Sequence, residues 1–308
     1  MMRIERITDL PKNFDEFVVE IAGGLAGLYG PAAAEAYAEN GPAGVAASLA
    51  HPQVTGYAAI GEEGAEALLI GVIRNDLAHI SFIHVLSRCT GRGHESQLTE
   101  WAVNRFRDAG LSGIVAEAVP LCSLTLDDTY ARLGFLRVDR MIMIAPLTAG
   151  ALAVDSLRTS HPLAEKDWEE AAGVVLDAYR DHPGQLLHSE VRNMEAAMAF
   201  IASATSGGFG RTRPGFIRCI RRGGRMAGVL FGCEAAPQVG FILQVAVAPE
   251  FQGRGFGRTL LCEVAQCFRE ASYERLALGV TEDNPARRLY ERLGFKKLRP
   301  VTAYAWWR

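Results

Sequence analysis

The sequence predicts an α/β (α+β) chain built from two tandem copies of one fold. Three observations carry this expectation. Strand-like and helix-like segments alternate along all 308 residues. A glycine-rich bend stands between an apolar strand run and a helix run in each half, as Arg88-Cys89-Thr90-Gly91-Arg92-Gly93 and as Gln252-Gly253-Arg254-Gly255-Phe256-Gly257. Downstream of each bend lies a matching segment, Tyr130-Ala131-Arg132-Leu133-Gly134-Phe135 and Tyr290-Glu291-Arg292-Leu293-Gly294-Phe295. The bends are offset by 164 positions and the tyrosine segments by 160, an internal repeat of roughly half the chain. A chain of this length has a prior of two domains, each able to bury its own core. The segmentation places them at 1–147 and 151–308, with 146–150 as linker.

In the first copy, residues 2–8 read as a strand and two helices follow, the second an alanine-rich run over 31–50. Strands at 54–60, 66–74 and 78–84 carry β-branched or alternating apolar residues with turn residues between them. After the bend come a helix to Ala109, a strand over 112–117, a helix over 121–133 and closing strands over 135–145. The second copy repeats the order: helices at 164–180 and 189–204, strands at 216–221, 226–234 and 239–247, the bend, and a helix to Ala271. A strand at 275–281, a helix at 285–293 and terminal strands through Tyr304, Trp306 and Trp307 complete it. In the helix after the second bend, Leu260, Leu261, Val264, Ala265 and Phe268 form an apolar stripe that holds the bend against the sheet.

The bend is suited to phosphate. Its backbone N–H groups enter a helix without intrahelical partners, and the missing Cβ atoms at Gly253, Gly255 and Gly257 let phosphate oxygens approach the main chain. No Gly-Lys-Ser/Thr follows, so it is not a Walker loop, and Arg258 and Thr259 stand where a dinucleotide fingerprint needs a further glycine. Gln252, Gly255 and Gly257 instead fill the pattern Gln/Arg-x-x-Gly-x-Gly/Ala. Downstream, Asn284-Pro285-Ala286-Arg287-Arg288-Leu289-Tyr290 leads on to Gly294-Phe295. Together these segments resemble the GNAT superfamily of acyl-CoA-dependent N-acetyltransferases. The resemblance implies two tandem GNAT folds, each a mixed, mostly antiparallel central sheet flanked by helices. It also implies acetyl-CoA (coenzyme A) as donor, with no metal.

Acyl transfer from a thioester to an amine passes through a tetrahedral oxyanion. The site must polarise the carbonyl, take a proton from the amine and return one to the departing thiolate. The resemblance assigns the polarising donor to a main-chain N–H within Val245, Ala246 and Val247. It assigns cofactor contacts to Gln252, Gly253, Arg254, Gly255, Phe256, Gly257, Arg258 and Asn284, and the general acid to Tyr290. From the residues alone, Tyr290 also reads as a core aromatic, Asn284 as a helix cap, and Arg254 and Arg258 as solvated cations. No general base stands out. Gln244 occupies a strand position where the family often has a carboxylate, which leaves Glu234, Glu282, His182 or a chain of waters.

The first copy offers a second cofactor site through Arg88, Gly91, Gly93 and Tyr130. Its departures mark it as degenerate and the second copy as catalytic. Asp127 and Asp128 oppose a polyanionic ligand, Leu124 stands six residues before Tyr130 where the other copy has Asn284, and the helix stripe falls one residue out of register when the glycines are superposed.

A net charge of −3, 49% apolar residues and 22% charged residues describe a globular chain with no nucleic-acid footprint. The local cluster Arg211, Arg213, Arg218, Arg221, Arg222 and Arg225 reads as a solvated hairpin. Six cysteines lack Cys-x-x-Cys or histidine spacing, which suits reduced thiols in a cytoplasmic protein. No run approaches a membrane span, and charge interrupts the N-terminus before any leader core. The expected function is N-acetylation of a primary amine, on a small molecule or a protein N-terminus or lysine. Alternatives are a non-catalytic acyl-CoA-binding sensor or scaffold, and a tandem acetyltransferase of the mycothiol-synthase type. The acceptor, the acyl chain and homodimerisation stay open.

Overall fold

The computed structural model describes residues 3–74, 76–117, 126–148, 152, 159–180, 185 and 187–308. The chain divides into two compact units, one of Met1–Asp139 with Val301–Arg308 and one of Arg140–Pro300.

The first unit runs β1 (Arg3–Ile7), α1 (Phe14–Tyr29), α2 (Pro31–Leu49), β2 (Val54–Ile60), β3 (Ala65–Arg74), β4 (Leu77–Val85), α3 (His94–Asp108), β5 (Gly113–Ala116), α4 (Asp127–Arg132) and the first residues of β6 (Leu136–Pro146). Strands β1 to β4 pair antiparallel in sequence order, and β4 pairs parallel with β5. Its core forms where Leu98, Ala102 and Phe106 of α3 meet Leu69, Ile80 and Ile114. Phe14, Phe17 and Ile21 of α1 pack with Leu68 and Leu86 in a second cluster.

The second unit contains β7 (His161–Pro162), α5 (Trp168–Tyr179), α6 (Met194–Thr205), β8 (Ile217–Arg222), β9 (Arg225–Ala236), β10 (Val239–Val247), α7 (Phe256–Glu270), β11 (Arg275–Thr281), α8 (Arg287–Arg292) and the start of β12 (Lys296–Trp307). Strands β7 to β10 are antiparallel neighbours, β10 and β11 run parallel, and β11 pairs antiparallel with Arg140–Pro146 of β6. The stripe expected on α7 is its buried face, and Phe268 stacks on Phe216 with ring centroids 3.7 Å apart. Each unit is therefore a mixed, mostly antiparallel sheet packed with helices, as the sequence implies.

Four details differ from the sequence expectation. The break between units falls within β6 and again within β12, not at 147–151. Arg140–Pro146 hydrogen-bonds along β11, whereas Tyr304–Trp307 pairs with Gly113–Ala116, so each half of the sequence supplies the closing strand of the other half's sheet. The terminal strands of the second copy are one continuous strand, β12.

The fourth difference is the register of the repeat. Gly93 caps α3 with φ 76° and ψ 14°, and Gly255 caps α7 with φ 86° and ψ 0°. The same backbone recurs 162 positions apart (Gly93 to Gly255), not 164. Gly91 and Gly253, also at positive φ, then superpose, and Thr90 takes the place of Gln252 rather than Arg88. On this register Leu98, Ala102 and Phe106 fall on Leu260, Val264 and Phe268, and the helix stripes agree.

Candidate functional site

The site of the second unit begins where a sheet opens. Parallel pairing of β10 with β11 runs from Val239↔Arg275 to Ile242↔Leu278 and stops. Leu243 is an extra residue in the ladder with β9, a bulge that increases local twist. From Gln244 to Val247 the strand pairs only with β9, so its other edge turns main-chain groups to a cleft. Val245, Ala246 and Val247 thus lie on a strand edge that β11 does not cover. The first unit repeats the device: β4–β5 pairing ends at Ile80↔Ala116 and Ser81 is the extra residue.

The bend follows. Gln252 Nε2 donates to Val247 O at 3.1 Å, tying the turn to the strand end. Gly253 and Gly255 have positive φ, so conformation alone calls for glycine there. Gly257 is different. A Cβ at that position would meet Val247 Cγ2 at 3.5 Å and Leu289 Cδ2 at 3.9 Å, ordinary contacts that the fold tolerates. Its missing side chain keeps the first-turn amides of α7 clear, which suits a diphosphate at the helix N-terminus. Phe256 is 5% exposed and packs edge-on to Phe251, so its side chain belongs to the core and not to the bend's surface. Arg254 and Arg258 are exposed.

Beyond the bulge a cavity of about 30 Å³ is lined by Arg140, Tyr179, His188, Gln244, Thr281, Asn284 and Tyr290 among others. That volume admits an amine head group rather than a whole acceptor. Tyr290, from α8, is buried, and burial pushes its phenol up to about 12, so it stays protonated at neutral pH. Asn284 Oδ1 accepts from Ala286 N at 2.8 Å in the turn before α8, whose cap position is Ala286 rather than Asn284, and the residue also lines the cavity. Tyr179 Oη donates to Gln244 Oε1 at 3.0 Å. Gln244 Nε2 and Thr281 Oγ1 are buried and have no hydrogen-bond partner among the described residues. Buried polar groups are seldom left so, and a bound substrate would satisfy them.

His188 is the residue that the sequence reading missed. It follows α5 in the loop before α6, its ring lies 5.0 Å from that of Tyr179, and its Nδ1 is 2.8 Å from Glu190 Oε1. An ionised carboxylate only accepts, so Nδ1 carries the hydrogen, and in the neutral ring Nε2 keeps its lone pair. Glu234 and Glu282, the carboxylates anticipated from sequence, do not line the cavity. Glu234 accepts from Tyr273 Oη, and Glu282 is exposed. His182 lies outside the described residues, as do Leu124 and Cys122. The signal for His188 was the His-x-Glu spacing, which puts a carboxylate within reach of the ring.

In the first unit two of the anticipated second cofactor residues, Arg88 and Tyr130, have protein partners. Arg88 bonds Glu16 at 3.1 Å and lies 3.7 Å from Glu63. Tyr130 stacks on Tyr304 with centroids 4.1 Å apart, and Glu20 takes the Ser87 N–H at 3.0 Å. The arginine cluster of the second unit is largely neutralised: Arg221 pairs with Asp167 and Glu170, Arg218 with Glu263, Arg225 with Glu250 and Arg211 with Glu234. Among the described residues no helix is long and apolar enough to cross a membrane.

Residues 165–295 match the model of the Acetyltransferase (GNAT) family. A [Ribosomal protein bS18]-alanine N-acetyltransferase of Haemophilus influenzae is 35% identical over 66 residues, 21% of this chain and 45% of that protein. A mycothiol acetyltransferase of Rhodococcus opacus is 37% identical over 70 residues, 22% of this chain and 23% of that protein. The matches thus span less than half the length of these curated relatives. A GCN5-related N-acetyltransferase from Sphaerobacter thermophilus shares the fold over 99% of this chain and 95% of its own, with a TM-score of 0.69 at 18% identity. The family match agrees with the bend and its helix, so residues 165–295 carry an acetyltransferase (GNAT) family domain, and the full-length likeness is one of fold.

Proposed function

We propose that the Arg140–Pro300 unit transfers an acetyl group from acetyl-CoA to a primary amine, by direct attack of the amine on the thioester. The observation that carries this reading is the convergence on one cavity of an opened strand edge, a protonated buried phenol and a carboxylate-backed imidazole. The glycine bend holds the diphosphate on the amides of Gly253 to Arg258, and the thioester carbonyl takes a hydrogen bond from the main chain of Val245 to Val247. His188 Nε2 removes the amine proton as the C–N bond forms. Tyr290 gives its proton to the coenzyme A sulfur as the C–S bond breaks. Positioned acid–base groups of this kind contribute roughly 10²–10⁴-fold each, and an oriented oxyanion donor about 3 kcal/mol.

The acceptor is a small molecule or a protein N-terminus or lysine; the relative that acts on a ribosomal protein alanine favours the N-terminus for a first panel. The first unit serves as a degenerate partner domain. The described cysteines are unpaired thiols, in keeping with a cytoplasmic setting.

The test is thiol release from acetyl-CoA in the presence of an amine and peptide panel, alongside calorimetry with coenzyme A. Turnover with any amine supports the enzyme. Tight cofactor binding with no turnover across a broad panel supports a non-catalytic sensor instead.

A further inference from the structure

The repeat register exposes a substitution that the transferase reading leaves unused. Leu86 N donates to Glu66 O at 3.0 Å, and in the second unit Ala248 N donates to Ala227 O at 3.0 Å. Glu66 therefore stands where Ala227 does. By the same register Cys89 stands for Phe251 and His94 for Phe256. In the second unit these three positions form a plain hydrocarbon contact, with Phe251 and Phe256 5.7 Å apart. In the first they hold a carboxylate, a thiol and an imidazole.

All three remain buried, at 8%, 0% and 7% exposure. His94 Nε2 is 2.7 Å from Glu66 Oε2, and one ligand atom from each of the three residues lies within 4.8 Å of the others. His94 Nδ1 has no hydrogen-bond partner among the described residues. Exchanging an apolar trio for polar groups at the same depth is costly unless something satisfies them.

We propose that Glu66, Cys89 and His94 bind one divalent transition-metal ion, zinc foremost, beneath the bend of the first unit. The donor set is that of a zinc site, with sulfur, nitrogen and oxygen ligands and a fourth position for water. Ligand atoms around tetrahedral zinc sit roughly 3.5 Å apart, a value between the 2.7 Å of the His94–Glu66 pair and the 4.8 Å that bounds the trio. The carboxylate and the thiolate together neutralise a dipositive ion, and the thiol proton leaves to solvent as the Zn–S bond forms. Without a cation, burial and then the Glu66 charge push the Cys89 thiol up and keep it protonated. Two arginines stand nearby. Arg92, 3.5 Å from Glu66 and 55% exposed, is free to swing outward, and Arg88 near Cys89 Sγ is also held by Glu16. No sequence pattern signals this site, because the ligands come from β3, a single 3-10 turn and α3. The proposal does not depend on acetyl transfer by the other unit.

The experiment uses the full chain, stripped with chelator and titrated with Co²⁺ and then Zn²⁺. The expected result is one ion per chain and a thiolate-to-cobalt charge-transfer absorption that zinc displaces. Cys89→Ser should remove that absorption and Cys219→Ser should keep it. His94→Gln and Glu66→Gln, near-isosteric changes that preserve folding, should each weaken zinc binding by at least about tenfold. Absence of stoichiometric uptake at micromolar metal overturns the proposal, and so does an unchanged absorption in Cys89→Ser or unchanged affinity in both near-isosteric variants.

Discussion

Glu95 and Gly257 occupy the same backbone position, each the second residue of the helix that follows a left-handed glycine cap. In the second unit that position is bare, and the first-turn amides of α7 stay open. In the first unit a carboxylate stands there, with Oε2 buried and without a hydrogen-bond partner among the described residues. An anion at this point opposes a diphosphate and already uses the favourable end of the helix. Calorimetry should therefore give one coenzyme A per chain. Gly257→Asp should abolish that binding and Gly93→Asp should leave it intact; two equivalents in the wild-type chain would refute the assignment of a single site.

Gly255 and Gly257 should separate folding from binding. Gly255 has φ 86°, where an L side chain costs about 1–2 kcal/mol, so Gly255→Ala should lower Tm by several degrees. Gly257 is helical with ordinary space around its missing Cβ. Gly257→Ala should leave Tm unchanged or slightly higher, since alanine favours helix by about 1 kcal/mol over glycine. Its KM for acetyl-CoA should stay close to that of the wild type, because the loop pattern admits alanine at this position, whereas the bulkier Gly257→Val should raise KM at least about fivefold by standing where phosphate oxygens approach. Thermal melts and initial rates on the three variants decide this, and an unchanged KM in Gly257→Val would move the diphosphate off the first turn.

The bend, its helix and the strand before it were readable because each depends on local chemistry: positive-φ glycines, a 3.6-residue stripe and an alternating apolar run. The strand expected at 239–247 is β10 without adjustment. The register between copies was not readable, because Arg88 satisfies the first position of the loop pattern by residue type while Thr90 satisfies it by conformation. Only the φ values of Gly91 and Gly93 decide between them. The exchange of closing strands was equally hidden, since the sequences of β6 and β12 name no partner. His188 was hidden for a third reason. Of the residues that line the cavity with it, Gln244 and Tyr290 are distant in sequence, and a histidine in a loop reads as solvated until the fold closes over it.

His188→Gln should reduce kcat at least about 100-fold, the usual cost of losing a positioned base, with acetyl-CoA affinity unchanged. Glu190→Gln should act in the same direction but more weakly, because the ring keeps a hydrogen-bond partner and loses only the charge that supports its protonated form. Steady-state kinetics paired with coenzyme A titration would show the split. A loss confined to KM would instead mark His188 as an acceptor-binding residue.

Tyr290 supports two linked expectations. Tyr290→Phe should cut kcat at least about tenfold with little change in cofactor affinity, if the phenol protonates the leaving sulfur. The second expectation concerns stability in alkali. Burial raises this phenol from an ordinary value of 10.0 to about 12, so between those limits the folded chain retains a proton that the unfolded chain has lost. Unfolding then releases a proton, and stability falls as pH rises through that interval. Phenylalanine has nothing to release. Denaturant unfolding at several pH values between 9 and 12 should show a shallower decline for Tyr290→Phe than for the wild type, and parallel curves would mean the hydroxyl reaches water through the cavity.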